Sequence, residues 1–170
     1  PTAIVAKDAE EDGVNGFTML DGAHGVSTFT IGSSTYAIVV SYIDDGVQMI
    51  DISDPTAIVA VDDETDGVNG FTMLDKAEAV STFVIGSSTY AIVAGSDDDG
   101  VQIIDISDPT AIVAKDTATD GGTFTELGGA KNVDTFTIGS RTYAMVVSAT
   151  DDGVQMIDIS DPDNIVALDA

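Results

Sequence analysis

Apolar residues recur at every second position over short stretches of this chain, and small polar residues break the stretches. In Val26-Ser27-Thr28-Phe29-Thr30-Ile31, Val26, Thr28 and Thr30 fall on one side of an extended chain and Ser27, Phe29 and Ile31 on the other. This is the period of two that a β-strand imposes. Gly32-Ser33-Ser34 reads as a turn, and residues 35–40 read as a second strand whose unbroken apolar run predicts burial on both faces. Asp44-Asp45-Gly46 is a hairpin signal, since an Asp-Gly pair tolerates the positive φ of the primed turns. Residues 47–52 form a third strand, Ser53-Asp54-Pro55 turns the chain, and residues 57–60 form a fourth. A polar connector of about fifteen residues follows, with Phe71 and Leu74 as plugs. No long stretch repeats with a period of 3.6, so helix is confined to a turn near residues 17–20.

The whole set of elements recurs. Pro-Thr-Ala-Ile-Val-Ala begins at Pro1, Pro55 and Pro109, a spacing of 54 residues, and a degenerate start, Pro162-Asp163-Asn164-Ile165-Val166-Ala167, follows 53 residues later. The units are 1–54, 55–108 and 109–161, with a partial fourth at 162–170. The first two are identical at 42 of 54 positions, which marks recent duplication. The third is looser and one residue shorter, because Gly13-Val14-Asn15-Gly16-Phe17 becomes Gly121-Gly122-Thr123-Phe124. Four antiparallel strands per unit predict an all-β fold of β-propeller-type blades, here at 24–61, 78–115 and 131–168. Propellers use about 4 to 8 blades, so three do not close a ring. The array is therefore expected to be completed by self-assembly or to belong to a longer array, and its start in mid-array fits an excerpt or a processed piece. Residues 1–6 would be an orphan outer strand. Ala3, Ile4 and Val5 at one end, and Ile165, Val166 and Ala167 at the other, are the expected edges for strand addition between copies.

Composition narrows the partners. Asp and Glu number 30 against 5 Lys and Arg in 170 residues, a net charge of -25, and the pI is near 4.1. Nucleic acid and anionic membrane both need a basic footprint, so neither is an expected partner. Hydrophobic residues make up 44% and mean hydropathy is +0.22, well above the level of a disordered acidic chain. The apolar runs fall far short of the roughly 20 residues of a membrane helix, so no membrane insertion is expected. With no Cys there is no disulfide, thiolate metal site or thiol chemistry.

Two motifs carry a family resemblance. Val47-Gln48-Met49-Ile50-Asp51-Ile52-Ser53-Asp54-Pro55, repeated at 101–109 and 154–162, follows Tyr36-Ala37-Ile38-Val39, Tyr90-Ala91-Ile92-Val93 and Tyr143-Ala144-Met145-Val146 in the three units. This pairing resembles the LVIVD-type repeat over nearly the whole chain. The resemblance implies blades of a β-propeller in a secreted or surface-attached microbial protein, hence an extracellular or cell-surface location. The string Thr-Phe-Thr-Ile-Gly-Ser-Ser-Thr-Tyr at 28–36 is also similar to repeats of large acidic surface proteins of marine microbes. The connector after the fourth strand departs from the ordinary pattern by its length. No activity is implied, because propellers host many unrelated functions.

The most chemical-looking motif lies in that connector. Asp8, Glu10 and Asp12, and again Asp62, Glu64 and Asp66, alternate ahead of a Gly as in the front half of a calcium loop, while the third copy keeps Asp116 and Asp120 but has Ala118 between them. Met19, Met73 and Leu127 stand where an EF-hand needs its bidentate Glu, so the alternatives are a shorter Ca2+ loop and a plain acidic loop with an Asp-Gly turn. No cofactor is required by the sequence. Asp44-Asp45, Asp97-Asp98-Asp99 and Asp151-Asp152 read as soluble hairpin tips. Asp51, Asp54 and their repeats read as acceptors for turn N–H groups. His24, the only His, aligns with Glu78 and Asn132, which argues against a His-based general base. Repeated carboxylates in identical settings make poor acid/base pairs, so the chain is not expected to be an enzyme. The recurrent Phe and Tyr read as packing between blades. Together these features predict a non-enzymatic structural or adhesive module of a cell-surface protein or filament, assembling with copies of itself or adjoining repeats. The alternative is a calcium-dependent propeller that binds a glycan or a protein.

Overall fold

The computed structural model describes residues 3–168, which form twelve strands and, among the described residues, no helix. Strands β1 (Ala23–Ile31), β2 (Ser34–Ser41), β3 (Gly46–Asp51) and β4 (Val59–Thr65) make the first sheet. The second holds β5 (Ala77–Ile85), β6 (Ser88–Gly95), β7 (Gly100–Asp105) and β8 (Val113–Thr119). The third holds β9 (Ala130–Ile138), β10 (Arg141–Ser148), β11 (Gly153–Asp158) and β12 (Val166–Ala167). Each sheet is antiparallel with its strands in chain order. The opening strands β1, β5 and β9 stand side by side, so the sheets face one another. The fold is all-β, built of three propeller-type blades.

Three local expectations change. The fourth strand starts at Val59 and runs on through Asp62, Asp63 and Glu64 to Thr65, so the first part of the polar connector is strand. It is polar because it is the outer strand and has a neighbour on one side only. No helical turn forms near residues 17–20. Instead Asn15 (φ 54) and Gly16 (φ 87) take the two left-handed positions of a tight hairpin that pairs Val14 with Phe17. The first strand also begins earlier, at Ala23, with an irregularity between Ala23 and Gly25. Gly25 sits so close to the next blade that an added Cβ would lie 3.1 Å from the Ala79 backbone.

The core lies between blades. One face of the first blade, with Ile38, Val40, Val47 and Met49, packs on Ala91, Val93, Ile104 and Ile106 of the second, and Phe71 and Leu74 plug the seam. The second blade meets the third in the same way: Ile92, Val101 and Ile103 pack on Ala144, Val146, Ile157 and Ile159, with Leu127 as plug. Inner-strand hydroxyls join the blades as well, Ser27 with Thr82 and Ser81 with Thr135, each at 2.9 Å. At the two ends of the stack one face of each terminal blade has no blade upon it. On the first blade that face holds Ala37 and Ile50 under Phe17, with Val39, Ile52 and Ile58 at its margin. On the third it holds Met145, Val147 and Val154.

The expected assembly edges divide. Ile165 is buried in the core, and Val166 and Ala167 form β12 against β11, so these three complete the third blade within the chain. Ala3, Ile4 and Val5 are exposed and belong to no strand.

Candidate functional site

The acidic motif is a set of backbone clamps. Asp62 lies on β4 of the first blade, and its Oδ2 accepts the Ile112 N–H of the second blade at 2.8 Å. Asp116 on β8 does the same for Ile165 of the third blade at 2.8 Å. Asp8 accepts the Ile58 N–H at 2.8 Å, so the N-terminal segment lies against the first blade as β4 lies against the second. The last acid of each motif closes the connector: Asp12, Asp66 and Asp120 accept the N–H groups of Leu20, Leu74 and Leu127. Glu10 and Glu64 accept the side-chain amides of Asn15 and Asn69. Asp62 and Glu64 lie at i and i+2 on β4, the spacing that puts two side chains on one face of a strand, and Asp66 follows just past its end. Among the described residues, no group of three or more Asp, Glu, His or Cys is arranged to hold a metal ion.

The hairpin tips form a second layer of clamps. Asp44, Asp98 and Asp151 accept the N–H groups of Asp21, Asp75 and Gly128 in the connector of their own blade, at 2.7, 2.8 and 2.6 Å. Asp45 and Asp99 reach forward to the N–H groups of Lys76 and Gly129 in the next blade, at 2.9 and 2.7 Å. Crowding of carboxylates in this layer has an electrostatic cost. Burial pushes the Asp98 carboxyl up to about 6, the neighbouring Asp66, Asp75 and Asp45 add to the rise, and the hydrogen bond from Asp75 opposes it. Asp75 is raised as well, by burial first and then by Asp45 and Asp97.

The Ser-Asp-Pro turns behave as expected. Asp54 and Asp108 are held below the usual carboxylate range by hydrogen bonds from the Thr56 and Thr110 side chains and N–H groups. At Asp158 burial raises the carboxyl, but hydrogen bonds from Ser160 and Arg141 outweigh it and hold it below that range.

One repeated residue escaped the sequence reading. Gln48, Gln102 and Gln155 are buried in the middle of β3, β7 and β11. The Oε1 of each accepts an N–H from the connector hairpin, at Thr18, Thr72 and Thr125. The Nε2 of Gln48 donates to the Asp62 carbonyl, and that of Gln102 to the Lys115 carbonyl. An uncharged polar residue inside an apolar strand, kept in all three units, was the available signal.

The only histidine has a different counterpart from the one expected. The residue missing from the third unit shifts the register, so β9 aligned on β5 places Lys131, not Asn132, at the position of Glu78 and His24. These three stand at the head of adjacent strands. The Glu78 carboxylate lies between His24 Nδ1, at 2.9 Å, and Lys131 Nζ. His24 also packs against Tyr42, another position that differs among the units. The surface hollows are shallow. One is lined by Thr82, Phe83, Thr135 and Phe136 between the second and third blades, another by Arg141, Asp158 and Ser160, and a third by Ala23, His24, Gly25 and Val26 on the open face of the first blade.

No protein-family model matches the chain, and comparison with curated proteins finds no match. Among solved structures, the chain is similar to an exo-beta-1,3-galactanase from Phanerochaete chrysosporium, in a variant form with beta-1,3-galactotriose, at a TM-score of 0.62 and 15% identity over 96% of this chain. The same enzyme with galactose gives a TM-score of 0.61 at 16% identity over 96% of this chain. A protein from Lactobacillus plantarum gives 0.60 at 15% identity over 86% of this chain. In each case the match covers 41% of the other protein. Likeness at this identity supports the blade fold.

Proposed function

We propose that the chain is a non-enzymatic structural or adhesive module, extracellular or at a cell surface, that builds a larger β-assembly with copies of itself or with adjoining repeats. The observation that carries this reading is the pair of terminal blade faces. Both are apolar, and each matches a face that is buried between blades inside the chain. The clamps support it further, because every unit uses the same acids to hold its neighbour. Glycoside hydrolysis needs two carboxylates across the scissile bond, whereas Glu78 is flanked by His24 and Lys131. Light scattering over a range of protein concentrations tests the assembly, and incubation with β-1,3-galactotriose tests the absence of catalysis. Growth of mass with concentration and no release of galactose are expected. Galactose release that persists after repurification and is lost on Glu78→Gln would overturn the non-enzymatic reading.

A second reading is a calcium-dependent propeller that holds a glycan or a protein at its rim: the galactotriose of the similar galactanase suggests the glycan, and the alternating carboxylates at 8–12 and 62–66 suggest the calcium. Calcium would then have to compete with the N–H groups that the motif carboxylates already accept. Calorimetry with β-1,3-galactotriose, with calcium and with chelator, separates the readings. Heat of binding that vanishes with chelator supports the second.

A further inference from the structure

We infer that the open face of the third blade takes the open face of the first blade of a second copy, so that molecules join face to face and head to tail. This rests on the assembling reading above and specifies its interface. The argument is that the same pair of faces already packs twice within one chain. Ile38, Val40, Val47 and Met49 are 0% exposed under the second blade, and Ile92, Ala94, Val101 and Ile103 are 0% exposed under the third. At the same four places on the third blade stand Met145, Val147, Val154 and Met156, of which Met145 is 39%, Val147 38% and Val154 56% exposed. On the receiving face Ala37 and Ile50 are already buried beneath Phe17, and the residue left open is Val26. Val80 and Val133 are buried at 9% and 5%, while their counterpart Val26 on the first blade is 63% exposed. Contiguous apolar side chains of this kind mark an interaction surface.

The polar layers of the internal seams extend to this junction. Asp45 clamps Lys76 N–H and Asp99 clamps Gly129 N–H. The next pair in the series is Asp152 of one copy and Gly22 of the next. The hydroxyl pairs Ser27 with Thr82 and Ser81 with Thr135 continue as Asp134 and Thr28, in which the carboxylate accepts from the hydroxyl. The outer-strand clamp is already present, since Asp8 of each copy holds its own Ile58. A second copy therefore brings the segment that carries Asp8 to the outer edge of the third blade, where β12 pairs only with Ile157 and Asp158. The two faces differ, so the contact is heterologous.

The test uses two substitutions at exposed positions, one on each face: Val26→Asp and Val154→Asp. Masses are measured by light scattering in about 1 M salt, where the Debye length of about 3 Å suppresses repulsion between acidic copies. Wild type is expected to exceed the mass of one copy. Each variant alone is expected to be a single copy, and an equimolar mixture is expected to give a two-fold mass. Val154→Asp still offers its first blade and Val26→Asp still offers its third, so the mixture retains one sound junction. Circular dichroism confirms that each variant is folded, and Val26→Asn with Val154→Asn is the milder pair if either is not. Wild type that associates while the mixture stays at one copy would overturn this interface and leave self-assembly standing. A variant that still associates alone would do the same. Wild type at one copy up to about 1 mM would overturn both.

Discussion

The carboxylates of this chain act chiefly as acceptors for backbone N–H groups, and the consequences can be measured one residue at a time. Asp62 bridges two blades, whereas Asp63 beside it is exposed and makes no such bridge. Replacing Asp62 with Ala strands the Ile112 N–H and is expected to cost about 2 kcal/mol in urea unfolding. Asp63→Ala is expected to change stability by less than about 0.5 kcal/mol. Asp98 gives the chain a pH dependence of unusual sign. Its folded carboxyl titrates at about 6, above the ordinary value of 3.8, so the folded state binds its proton more tightly than the unfolded state does. Its contribution to stability is therefore greatest when it is protonated and falls as pH rises from about 4 to 6. Asp54, Asp108 and Asp158 are lowered and act oppositely, losing their contribution as pH falls below the ordinary carboxylate range. The Asp98 carboxyl carbon is expected to titrate by NMR with a midpoint near 6. Asp98→Asn, which keeps an acceptor for the Asp75 N–H, is expected to raise the melting temperature more at pH 7 than at pH 4.

At the scale of the element, each blade is closed by a buried glutamine that ties the connector hairpin to the third strand. Gln102→Leu keeps the apolar run of β7 but strands the Thr72 N–H and the Lys115 carbonyl. A loss of about 3 kcal/mol is expected, and a urea titration reads it directly. These elements also mark what could be read from the sequence. The hairpins of each blade followed from alternation at 26–31 and from the Asp44-Asp45-Gly46 signal, because both are local, although the loop is the four residues 42–45, closed by the Ser41–Gly46 pair with Gly46 already in β3. Asp45 does take a positive φ, of 52°. The polar half of β4 was not legible, since an outer strand with acids on the side facing its neighbour has no apolar period to detect. For a related reason the spacing of Asp8, Glu10 and Asp12 leaves a short calcium loop and a plain acidic loop both open: alternating carboxylates have the same spacing whether they face a cation or a row of N–H groups. Asn15-Gly16, the residue pair of a two-residue hairpin, was a local signal that the expectation of a helical turn near residues 17–20 passed over. His24 and Glu78 align directly, but placing Lys131 beside them depended on a register that the one-residue deletion in the third unit displaces.

For the whole molecule, the charge of -25 is distributed over blades whose seams are apolar, so self-repulsion works against a stack held by burial. Melting temperature is expected to rise from dilute buffer to about 1 M sodium chloride, as screening shortens from tens of ångströms to about 3 Å. An unchanged melting temperature would count against repulsion as a limit on stability. The first two blades have the same strand order and closely matching pairings, Val26 with Val39 and Val80 with Val93, on sequences identical at 42 of 54 positions. That likeness has a kinetic consequence. During folding, a hairpin from one unit finds an almost equally good partner in the other, so native pairings compete with exchanged ones of nearly equal energy. Refolding from denaturant should therefore divide between a direct route and a slower one that must undo swapped strands, and the looser third unit, with its shortened connector, is the part of the chain best able to find its own place.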